Sequence, residues 1–522
     1  MVALSFLLWF QGYVFAWKYG PLDGRPISWN TYWFYGVIDA SLWISIIFLS
    51  IKKTSFLLRF AQTVATSLMV IQLISVTLTH FQLSEDTRSF KRYMIDESSK
   101  FHFSSQKNVI LIVLDEFQSN IFQEIVVQNE RYKTMFDGFV YFPDAVAPFS
   151  WTELSIPAIL TGQIFDNSIK RNAYLKKSFT DKSIPKILKE NNFEVHLFPL
   201  KNWEHRTMYL SESVCSNLNK DPDYGVQFKE TLLLFDLSLF RHFPHFMKKY
   251  IYCDNQWLFS RYFPAFHRLF EKYFCRIKEN IYGVEQFRTV ESPKSEFEGS
   301  AFIGSAMSSG QFQVKKNVFK FYHLWGTHIP LRINENSEVV GQVAYNKKNY
   351  TRQAKAYLET CDKFFGILKE KGAYDNCLIF VIGDHGSGRS EDMYINRVSD
   401  SHNDSLNQIS PYNNFQLFKA RGIPLLLAKQ FNSKGTLKIS DAPVCLIDIP
   451  KTIISEFGIA ADFSGISLFE AKAEESRKRY YGAFEWDEKQ TDFMKPITMY
   501  VVAGPSWSNE SWSVVSILPP KE

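Results

Sequence analysis

The sequence predicts an α/β fold: a mostly parallel sheet with helices on both faces, preceded by three transmembrane helices. Two observations lead to this prediction. Short apolar runs alternate with helical segments from residue 108 onward, and three long apolar runs lie within the first 80 residues. The chain has 522 residues, more than one ordinary domain needs, so we expect a large globular domain with an appended N-terminal region.

The N-terminal region contains the three apolar runs, which we place at residues 2–19, 32–51 and 58–79. The second and third are close to the roughly 20 residues that a helix needs to cross a bilayer. A cleaved signal peptide would account for the first run only, and buried helices of a soluble core are the alternative for all three. Lys52 and Lys53 lie between the second and third runs, and Arg59 lies at the start of the third, which predicts a cytoplasmic loop there and an extracytoplasmic location for the rest of the chain.

After a polar tether at residues 81–107, we expect the globular domain to begin with the run NVILIVLD at Asn108. A continuous apolar run that ends in an acid is typical of a central parallel strand with both faces buried. A long helix is predicted from about Tyr350 to Lys371, and further strands are predicted at Phe193–Leu200, Asn317–Leu324, the run ending at Asp384, and Ile423–Lys429. Such alternation predicts the mostly parallel sheet within residues 108–475, and we expect residues 476–522 to form a strand-rich extension of the same domain.

Residues 228–282 interrupt this alternation with dense aromatic residues interleaved with Lys and Arg. We interpret them as a helical insertion. Aromatic residues at helical spacing favour a cover packed on the sheet. The alternative is an amphipathic element that lies on the membrane surface or holds an acyl chain.

Charge and cysteine spacing exclude two classes of site. The net charge of +5 is modest for this length and the signs are interspersed, so the chain is not predicted to bind nucleic acid. The six cysteines show no close-paired metal spacing. In an extracytoplasmic domain, Cys215, Cys253 and Cys275 are the candidates for disulfides, whereas Cys377 and Cys445 lie in apolar strand-like runs and are expected to be buried thiols.

Acidic residues and one histidine follow two of the predicted strands directly. Asp115 and Glu116 follow the first strand, and Asp384 and His385 follow the strand before the glycines of VIGDHGSG. Ligands gather at the carboxyl ends of parallel strands, and a carboxylate beside an imidazole makes half of a metal site. Taken alone, the pair of acids is as well explained by a turn or a helix N-cap.

Three more polar residues lie in short segments with turn character. Thr152 precedes the apolar stretch of APFSWTELSIPAILTG, and His323 and His328 flank the turn of YHLWGTHIP. A helix N-cap accounts equally well for an isolated threonine here, and a structural role accounts for an isolated histidine. It is the order and spacing of all four segments that favour a shared site.

Together these segments resemble the sulfatases of the alkaline phosphatase superfamily, and among them the membrane enzymes similar to lipoteichoic acid synthases and to phosphoethanolamine or phosphoglycerol transferases. NVILIVLDE is similar to the family's opening strand, in which an acid at the position of Asp115 binds the metal. WTELSIPAILTG resembles the sulfatase signature, and counting back from its closing Thr-Gly places the nucleophile at Thr152. The run ending in VIGDHG matches the family's helix, strand and Asp-His metal pair. APVCLIDIPKTIISEFGI and SGISL resemble its closing helix and turn, so the resemblance extends from Asn108 to about Leu468 and implies an alkaline phosphatase-like fold.

The resemblance also implies a metal centre with a nucleophile beside it. A divalent cation (Mn, Mg, Zn or Ca) would be held by Asp115, Thr152, Asp384 and His385. Glu116 is a further candidate ligand, because sulfatases have two consecutive acids at this position. His328 would contact phosphate oxygens or protonate the leaving group, and His402 is a second candidate for that role.

The identity of the nucleophile favours phosphoryl chemistry over sulfate-ester cleavage. Sulfatases oxidise a cysteine or serine to an aldehyde, but oxidation of Thr152 would give a ketone because its hydroxyl carbon carries a methyl group. The proline and arginine of the sulfatase signature are also replaced, by Leu154 and Ile156. A metal-activated threonine hydroxyl suits attack on phosphorus instead.

The resemblance and the membrane helices together imply a metal-dependent transferase. It would move phosphoglycerol or phosphoethanolamine from a phospholipid donor to an envelope glycan or lipid acceptor, through a covalent phospho-threonine, on the outer side of a bacterial inner or plasma membrane. The small number of cysteines favours phosphoglycerol, because the phosphoethanolamine enzymes are usually rich in disulfides. A sulfatase-like hydrolase (a phosphodiesterase or a sulfuric ester hydrolase) and a non-catalytic envelope scaffold are the alternatives.

Overall fold

The computed structural model describes residues 2–20, 22, 27–52, 54–82, 94–200, 211–219, 224–253, 256–259, 314–389, 391–393, 415–486 and 494–519. Their contacts divide the chain into two compact units. One, the N-terminal unit, comprises Met1–Met94 and Lys220–Ser292, and the other, the sheet unit, comprises Ile95–Asn219 and Pro293–Glu522.

The described helices are numbered along the chain: α1 Val2–Tyr13, α2 Trp33–Lys52, α3 Thr54–Gln82, α4 Ser119–Gln128, α5 Arg131–Met135, α6 Thr152–Thr161, α7 Arg171–Asp181, α8 Ile184–Glu190, α9 Tyr224–His242, α10 His245–Ile251, α11 Lys347–Glu370, α12 Phe415–Arg421 and α13 Asp448–Phe457. The strands are β1 Met94–Ile95, β2 Asn108–Leu114, β3 Phe139–Tyr141, β4 Ala145–Val146, β5 Glu194–Phe198, β6 Leu218–Asn219, β7 Tyr252–Cys253, β8 Gln256–Trp257, β9 Val318–Leu324, β10 Leu331–Ile333, β11 Val339–Val343, β12 Cys377–Ile382, β13 Leu426–Lys429, β14 Lys438–Ile439, β15 Val444–Cys445, β16 Lys478–Ala483, β17 Ile497–Ala503 and β18 Trp512–Leu518.

The centre of the sheet unit is a seven-stranded sheet with the strand order β14-β3-β13-β12-β2-β9-β5. All of its neighbours pair in parallel except at β13, which is antiparallel to both β12 and β3. Every residue of β2 and β12 is buried, so both faces of the sheet are covered, as continuous apolar runs require. The predicted mixed α/β fold with a mostly parallel sheet is confirmed.

The ends of three neighbouring parallel strands lie side by side. In the register of the sheet, Val113 of β2 is opposite His323 of β9 on one side and Ile382 of β12 on the other. Asp115 and Asp384 each lie two residues further along their chains. The topology therefore brings the predicted acids and the turn after β9 to one edge of the sheet.

The globular domain begins before the predicted boundary at residue 108. Phe101 and Phe103 are 3% and 2% exposed and belong to the main hydrophobic core. Residues 83–93 of the predicted tether lie outside the described residues, but residues 95–107 belong to the sheet unit. The two phenylalanines are the physical reason, since their burial stabilises an ordered segment.

The C-terminal residues form a three-stranded antiparallel sheet of β16, β17 and β18. It joins the segment before α6 through backbone hydrogen bonds from Gly482 N to Pro148 O (2.9 Å) and from Ser150 N to Gly482 O (3.1 Å). A side chain on residue 482 would collide with the ring of Phe149, since an added Cβ would lie 2.5 Å from it. This sheet thereby positions the start of α6.

Of the three predicted transmembrane helices, the described residues support one. The segment Trp29–Leu49 is long and apolar enough to cross a membrane, and only 6% of its most apolar window is buried within the protein. Helix α1 has 12 residues, about 18 Å in length, which is short of the roughly 30 Å of a bilayer core. Helix α3 has 29 residues, but its apolar part is the shorter stretch Gln62–Ser75.

The aromatic insertion groups with the N-terminal helices. Its described part forms α9, α10 and the β7-β8 hairpin, and these residues belong to the N-terminal unit. The insertion was expected to cover the sheet. Its described residues instead contact the N-terminal helices. The aromatic spacing predicts a packed helical element, and the described residues form helices. The spacing does not indicate which part of the chain those helices pack against.

Four cysteines are free thiols in the structure and all are buried: Cys215, Cys361, Cys377 and Cys445. Burial raises the pKa of each to about 12, so these thiols are neutral and unreactive. The expectation for Cys377 and Cys445 is met. Cys215 was a candidate for a disulfide, but it lies among buried side chains as a thiol.

Candidate active site and metal centre

Three of the predicted ligands form one buried cluster at the edge of the sheet. Ligand atoms of Asp115, Asp384 and His385 all lie within 4.8 Å of one another. Asp115 and Asp384 are fully buried and His385 is 1% exposed. Two carboxylates and an imidazole at this spacing match the donors that divalent cations such as Zn²⁺ and Mn²⁺ bind in proteins.

The electrostatics of the cluster also fit a cation. Asp115 Oδ1 and Asp384 Oδ2 are buried and accept no hydrogen bond from the described residues. Burial, followed by the negative charges of Asp384 and Glu116, raises the pKa of Asp115 well above its ordinary value. Burial also acts to raise the pKa of Asp384, but His385 and His323 outweigh it and the pKa is lowered. A divalent cation would remove the repulsion and let both carboxylates stay ionised.

Thr152 lies beside this cluster as the first residue of α6. Its Oγ1 is 3.2 Å from His385 Nε2, and Ser155 one turn on donates a hydrogen bond to the carbonyl of Asp384 (2.6 Å). The helix starts here because Trp151 is extended (φ −140°, ψ 146°), and it ends at Gly162, which is left-handed (φ 65°). The N-terminus of a helix carries partial positive charge that stabilises an alkoxide or a phosphate.

Glu116 is held by two arginines. Its Oε1 accepts hydrogen bonds from Arg389 Nε (2.6 Å) and from Arg421 Nη1 (3.0 Å). Burial acts to raise the pKa of Glu116, but the two arginines outweigh it and lower the pKa to about 2. The carboxylate is thus a charge partner of the arginines and does not belong to the cluster of Asp115, Asp384 and His385.

The backbone of Glu116 is fixed in an unusual conformation. Its φ is +65°, a region that costs a non-glycine residue about 1 kcal/mol or more. The Tyr350 hydroxyl donates to the Glu116 carbonyl (2.6 Å) and accepts from the backbone N–H of Gln118 (2.9 Å). This buried tyrosine, carried by α11, therefore holds the turn in which Asp115 and Glu116 lie.

Arg421 stacks on Trp151, the residue that precedes Thr152. Its guanidinium carbon is 3.7 Å from the centre of the Trp151 ring, and its Nη1 also donates to the Ser387 carbonyl (3.2 Å). Arg421 Nε and Nη2 are buried without a hydrogen-bond partner among the described residues. A fixed guanidinium beside Thr152 is suited to an anionic substrate.

His323, near the end of β9, and His328, in the turn after it, both lie at the site. His323 Nε2 is 3.2 Å from Asp115 Oδ2, and burial lowers the pKa of His323 to about 4. Burial also lowers the pKa of His328 to about 4, although the negative charge of Glu116 acts to raise it. His328 Nδ1 is 2.5 Å from the Ile329 carbonyl, so this nitrogen carries the proton and Nε2 is the basic one.

Of the site residues that the sequence predicts, Asp115, Thr152, His328, Asp384 and His385 lie at or beside the cluster, Glu116 pairs with arginines instead, and His402 lies outside the described residues. The sequence predicted no role for His323, Arg389 or Arg421. His323 is the second-last residue of β9, a buried strand next to β2. A histidine at the carboxyl end of such a strand could have been recognised as a candidate site residue. Arg389 and Arg421 gave no such signal, because their contact with Glu116 joins segments more than 270 residues apart.

A glycine in the turn after β9 keeps Asp115 in place, and its substitution gives a testable prediction. Gly326 has φ +58°, and an added Cβ would lie 2.4 Å from Asp115 N and 2.6 Å from its carbonyl oxygen. We expect Gly326→Ala to displace Asp115 and to weaken metal affinity by about tenfold or more, since misplaced ligand shells typically cost 10- to 100-fold. Isothermal titration of the metal-free protein with Mn²⁺ measures this.

Gly458 supplies the matched control for this substitution. It is also left-handed (φ +61°), but an added Cβ would meet no atom within 4 Å. Gly458→Ala should therefore carry the same backbone strain of about 1 kcal/mol and leave metal affinity unchanged. Equal affinities in the two variants would contradict the role of Gly326.

The chain was compared with protein-family models, curated protein sequences and solved structures. The sulfatase family model matches residues 107–459. A comparison with curated protein sequences gives no match.

Among solved structures, the phosphonate monoester hydrolase from Silicibacter pomeroyi is 13% identical, with 77% of this chain and 87% of that chain covered and a TM-score of 0.40. The lipoteichoic acid synthase from Listeria monocytogenes is 11% identical, with 82% of this chain and 90% of that chain covered and a TM-score of 0.37. A putative sulfatase from Bacteroides thetaiotaomicron is 12% identical, with 77% of this chain and 82% of that chain covered and a TM-score of 0.38.

Proposed function

The chain belongs to the sulfatase family, and from this premise we propose that it is a metal-dependent transferase that uses Thr152 as a covalent nucleophile on a phospholipid headgroup. The observation that carries the proposal is the position of the Thr152 hydroxyl, 3.2 Å from His385 in a buried cluster with two carboxylates. Asp115, Asp384, His385 and the Thr152 hydroxyl would hold a divalent cation (Mn, Mg, Zn or Ca). Such a cation lowers the pKa of a hydroxyl that it binds.

In the first step, Thr152 Oγ1 bonds to the headgroup phosphorus and the bond from phosphorus to the diacylglycerol oxygen breaks. The step balances because the proton that the Thr152 hydroxyl loses is matched by the one that the diacylglycerol oxygen gains, so diacylglycerol departs as the alcohol. The N-terminus of α6 and the guanidinium of Arg421 stabilise the negative charge on the phosphoryl oxygens. The product on the enzyme is a phosphodiester of Thr152.

In the second step, an acceptor hydroxyl attacks the same phosphorus and the bond to Thr152 Oγ1 breaks, which restores the threonine. His328 is the general base that we assign to the proton of the acceptor. Its pKa of about 4 means that it is neutral at neutral pH, so a basic role fits it better than the acidic role that the resemblance also allowed. His402 remains a proposal for the leaving-group proton.

The proposed donor and acceptor rest on a proposed membrane placement. The segment Trp29–Leu49 supports an N-terminal anchor, and an anchored enzyme has phospholipid at hand. We propose phosphatidylglycerol as the first donor to test and phosphatidylethanolamine as the second, with an envelope glycan or lipid as acceptor. The sheet unit would lie outside the bacterial inner or plasma membrane.

Mass spectrometry of the peptide that contains Thr152 tests this proposal. The full-length protein, loaded with Mn²⁺, would be incubated with each of the two lipids, labelled in the headgroup. We expect a headgroup adduct on Thr152 from one lipid and none in Thr152→Ala. The absence of an adduct in metal-loaded protein under rapid quenching, with either lipid, would overturn it.

The fate of the headgroup separates transfer from hydrolysis. Without an added acceptor, rapid release of the free phosphorylated headgroup into water would identify a phosphodiesterase; the sulfuric ester hydrolase alternative predicts instead release of sulfate from an aryl sulfate. An adduct that persists until an alcohol is added supports the transferase. If the protein binds no divalent metal and forms no adduct, the scaffold alternative is the better description.

A further inference from the structure

The insertion and the N-terminal helices share one hydrophobic core. Helix α9 packs on α1, and α10 packs on α2. The core consists of buried aromatic and aliphatic residues from both parts of the sequence, namely Tyr19, Phe240, Ile251, Tyr252 and Trp257. Residues that are more than 200 positions apart in the chain therefore form one packed unit.

A buried carboxylate connects the two parts. Asp39 of α2 is fully buried. Its Oδ1 accepts hydrogen bonds from Gln11 Nε2 (2.9 Å) and Trp17 Nε1 (2.8 Å), and its Oδ2 accepts one from the backbone N–H of His245 (2.7 Å), the first residue of α10. A fully hydrogen-bonded buried charge fixes the relative position of the groups that surround it.

Two glycines allow the insertion to approach closely. An added Cβ on Gly12 of α1 would lie 2.2 Å from the His242 ring, and one on Gly36 of α2 would lie 3.2 Å from the His245 ring. Arg241 Nε also donates to the Gly12 carbonyl (2.8 Å). Small residues at contacts between helices are typical of packing in membranes, where backbones approach one another closely.

The depth of this contact follows from the position of Asp39. The candidate span runs from Trp29 to Leu49, so Asp39 lies ten residues from each end. At 1.5 Å per residue it is about 15 Å from each end, near the middle of a hydrocarbon core of about 30 Å. The start of α10, which touches Asp39, would lie at the same depth if the span crosses the bilayer.

The insertion also exposes apolar side chains that a water-facing helix would not be expected to carry together. Leu234 and Phe235 of α9 are 68% and 49% exposed, and Phe246 and Tyr250 of α10 are 54% and 65% exposed. The candidate span of the same unit exposes Ile44 to a similar extent, at 68%. Contiguous exposed apolar surface of this kind marks contact with a membrane or a partner.

We propose that α9 and α10 are embedded in the bilayer beside the candidate span, and that their exposed apolar side chains contact lipid hydrocarbon. The proposal rests on the membrane anchor of the proposed function. It extends the membrane-bound part of the protein from the N-terminal helices to a segment in the middle of the sequence. The occupant of the exposed surface is the acyl region of ordinary bilayer lipids.

Fluorescence of labelled cysteines in vesicles tests the proposal. Leu234→Cys, Phe246→Cys, Ile44→Cys and Val127→Cys would each be introduced into the full-length protein, labelled with an environment-sensitive nitrobenzoxadiazole dye, and reconstituted in phosphatidylcholine vesicles. Val127 is 75% exposed on α4 of the sheet unit and serves as the water-facing control. The unsubstituted protein, labelled in parallel, gives the background from native thiols.

We expect the dye at positions 234, 246 and 44 to emit at shorter wavelength than at 127, and to be quenched at least about twofold more strongly by lipids brominated in the acyl chain. Quenching at 44 without quenching at 234 and 246 would overturn the inference and leave the anchor standing. A lack of quenching at all positions would overturn both the inference and the anchor. The headgroup-adduct experiment remains a separate test of the chemistry.

Discussion

Replacing Thr152 with valine should reduce turnover of a phosphodiester substrate by at least about 10³-fold, since valine keeps the shape of threonine but removes the hydroxyl that we propose as the nucleophile. Thr152 is 5% exposed, so a residue of equal volume should preserve the packing of α6. The rate of hydrolysis of bis(p-nitrophenyl) phosphate, in Mn²⁺-loaded protein, measures the effect. Thr152→Ser keeps a hydroxyl and should retain much more activity than the valine variant.

Thr161 provides a matched control in the same helix. It is 1% exposed, and its hydroxyl donates to the Pro157 carbonyl (2.7 Å). Thr161→Val makes the same chemical change one helix length from the cluster, so it should cost stability and leave turnover within about threefold. If Thr152→Val and Thr161→Val lost activity equally, the loss would reflect packing, and Thr152 would not be the nucleophile.

Replacing Asp384 with asparagine should abolish metal binding and, with it, activity. The asparagine carbonyl can still accept the Glu116 N–H that Asp384 Oδ1 accepts (3.0 Å), but the ligand charge is lost. Metal at about 100 times its dissociation constant stabilises a native protein by about 2.7 kcal/mol. We expect thermal unfolding of the unsubstituted protein to shift upward by several degrees in Mn²⁺ and that of Asp384→Asn not to shift.

The control is another aspartate of the sheet unit, Asp375, which lies at the surface and pairs with Lys434 (3.2 Å). Asp375→Asn should retain the shift with Mn²⁺, because exposed ion pairs contribute little. Elemental analysis of the purified proteins gives the metal content directly. An Asp384→Asn variant that held as much metal as Asp375→Asn would show that the cluster of Asp115, Asp384 and His385 is not the metal centre.

The parts of the site that follow directly from strand ends could be predicted from the sequence. A buried strand reads as a continuous apolar run, and parallel strands end at one edge, so Asp115 and Asp384 had to lie close together. Thr152 needed the family resemblance as well, since nothing in its local sequence distinguishes a nucleophile from a helix N-cap. Its observed position, at the first residue of α6 next to His385, depends on the C-terminal sheet.

The parts that could not be predicted depend on contacts between distant segments. Glu116 was a candidate metal ligand by its position after Asp115, but Arg389 and Arg421 reach it from a different part of the chain. The packing of α9 on α1 was hidden for the same reason, because an aromatic helix gives no signal of its partner. Periodicity reports which face of an element is buried and not what buries it.

The ion pair of Glu116 with its two arginines has a consequence for the charge of the substrate. Asp115, Asp384 and Glu116 bring three negative charges to the site, and Arg389 and Arg421 bring two positive ones. With a divalent cation on the cluster and with His323, His328 and His385 neutral, one positive charge is left over. A phosphodiester carries the single negative charge that balances this excess, whereas a phosphomonoester carries up to two, so the count supports the proposed diester substrate over a phosphomonoester.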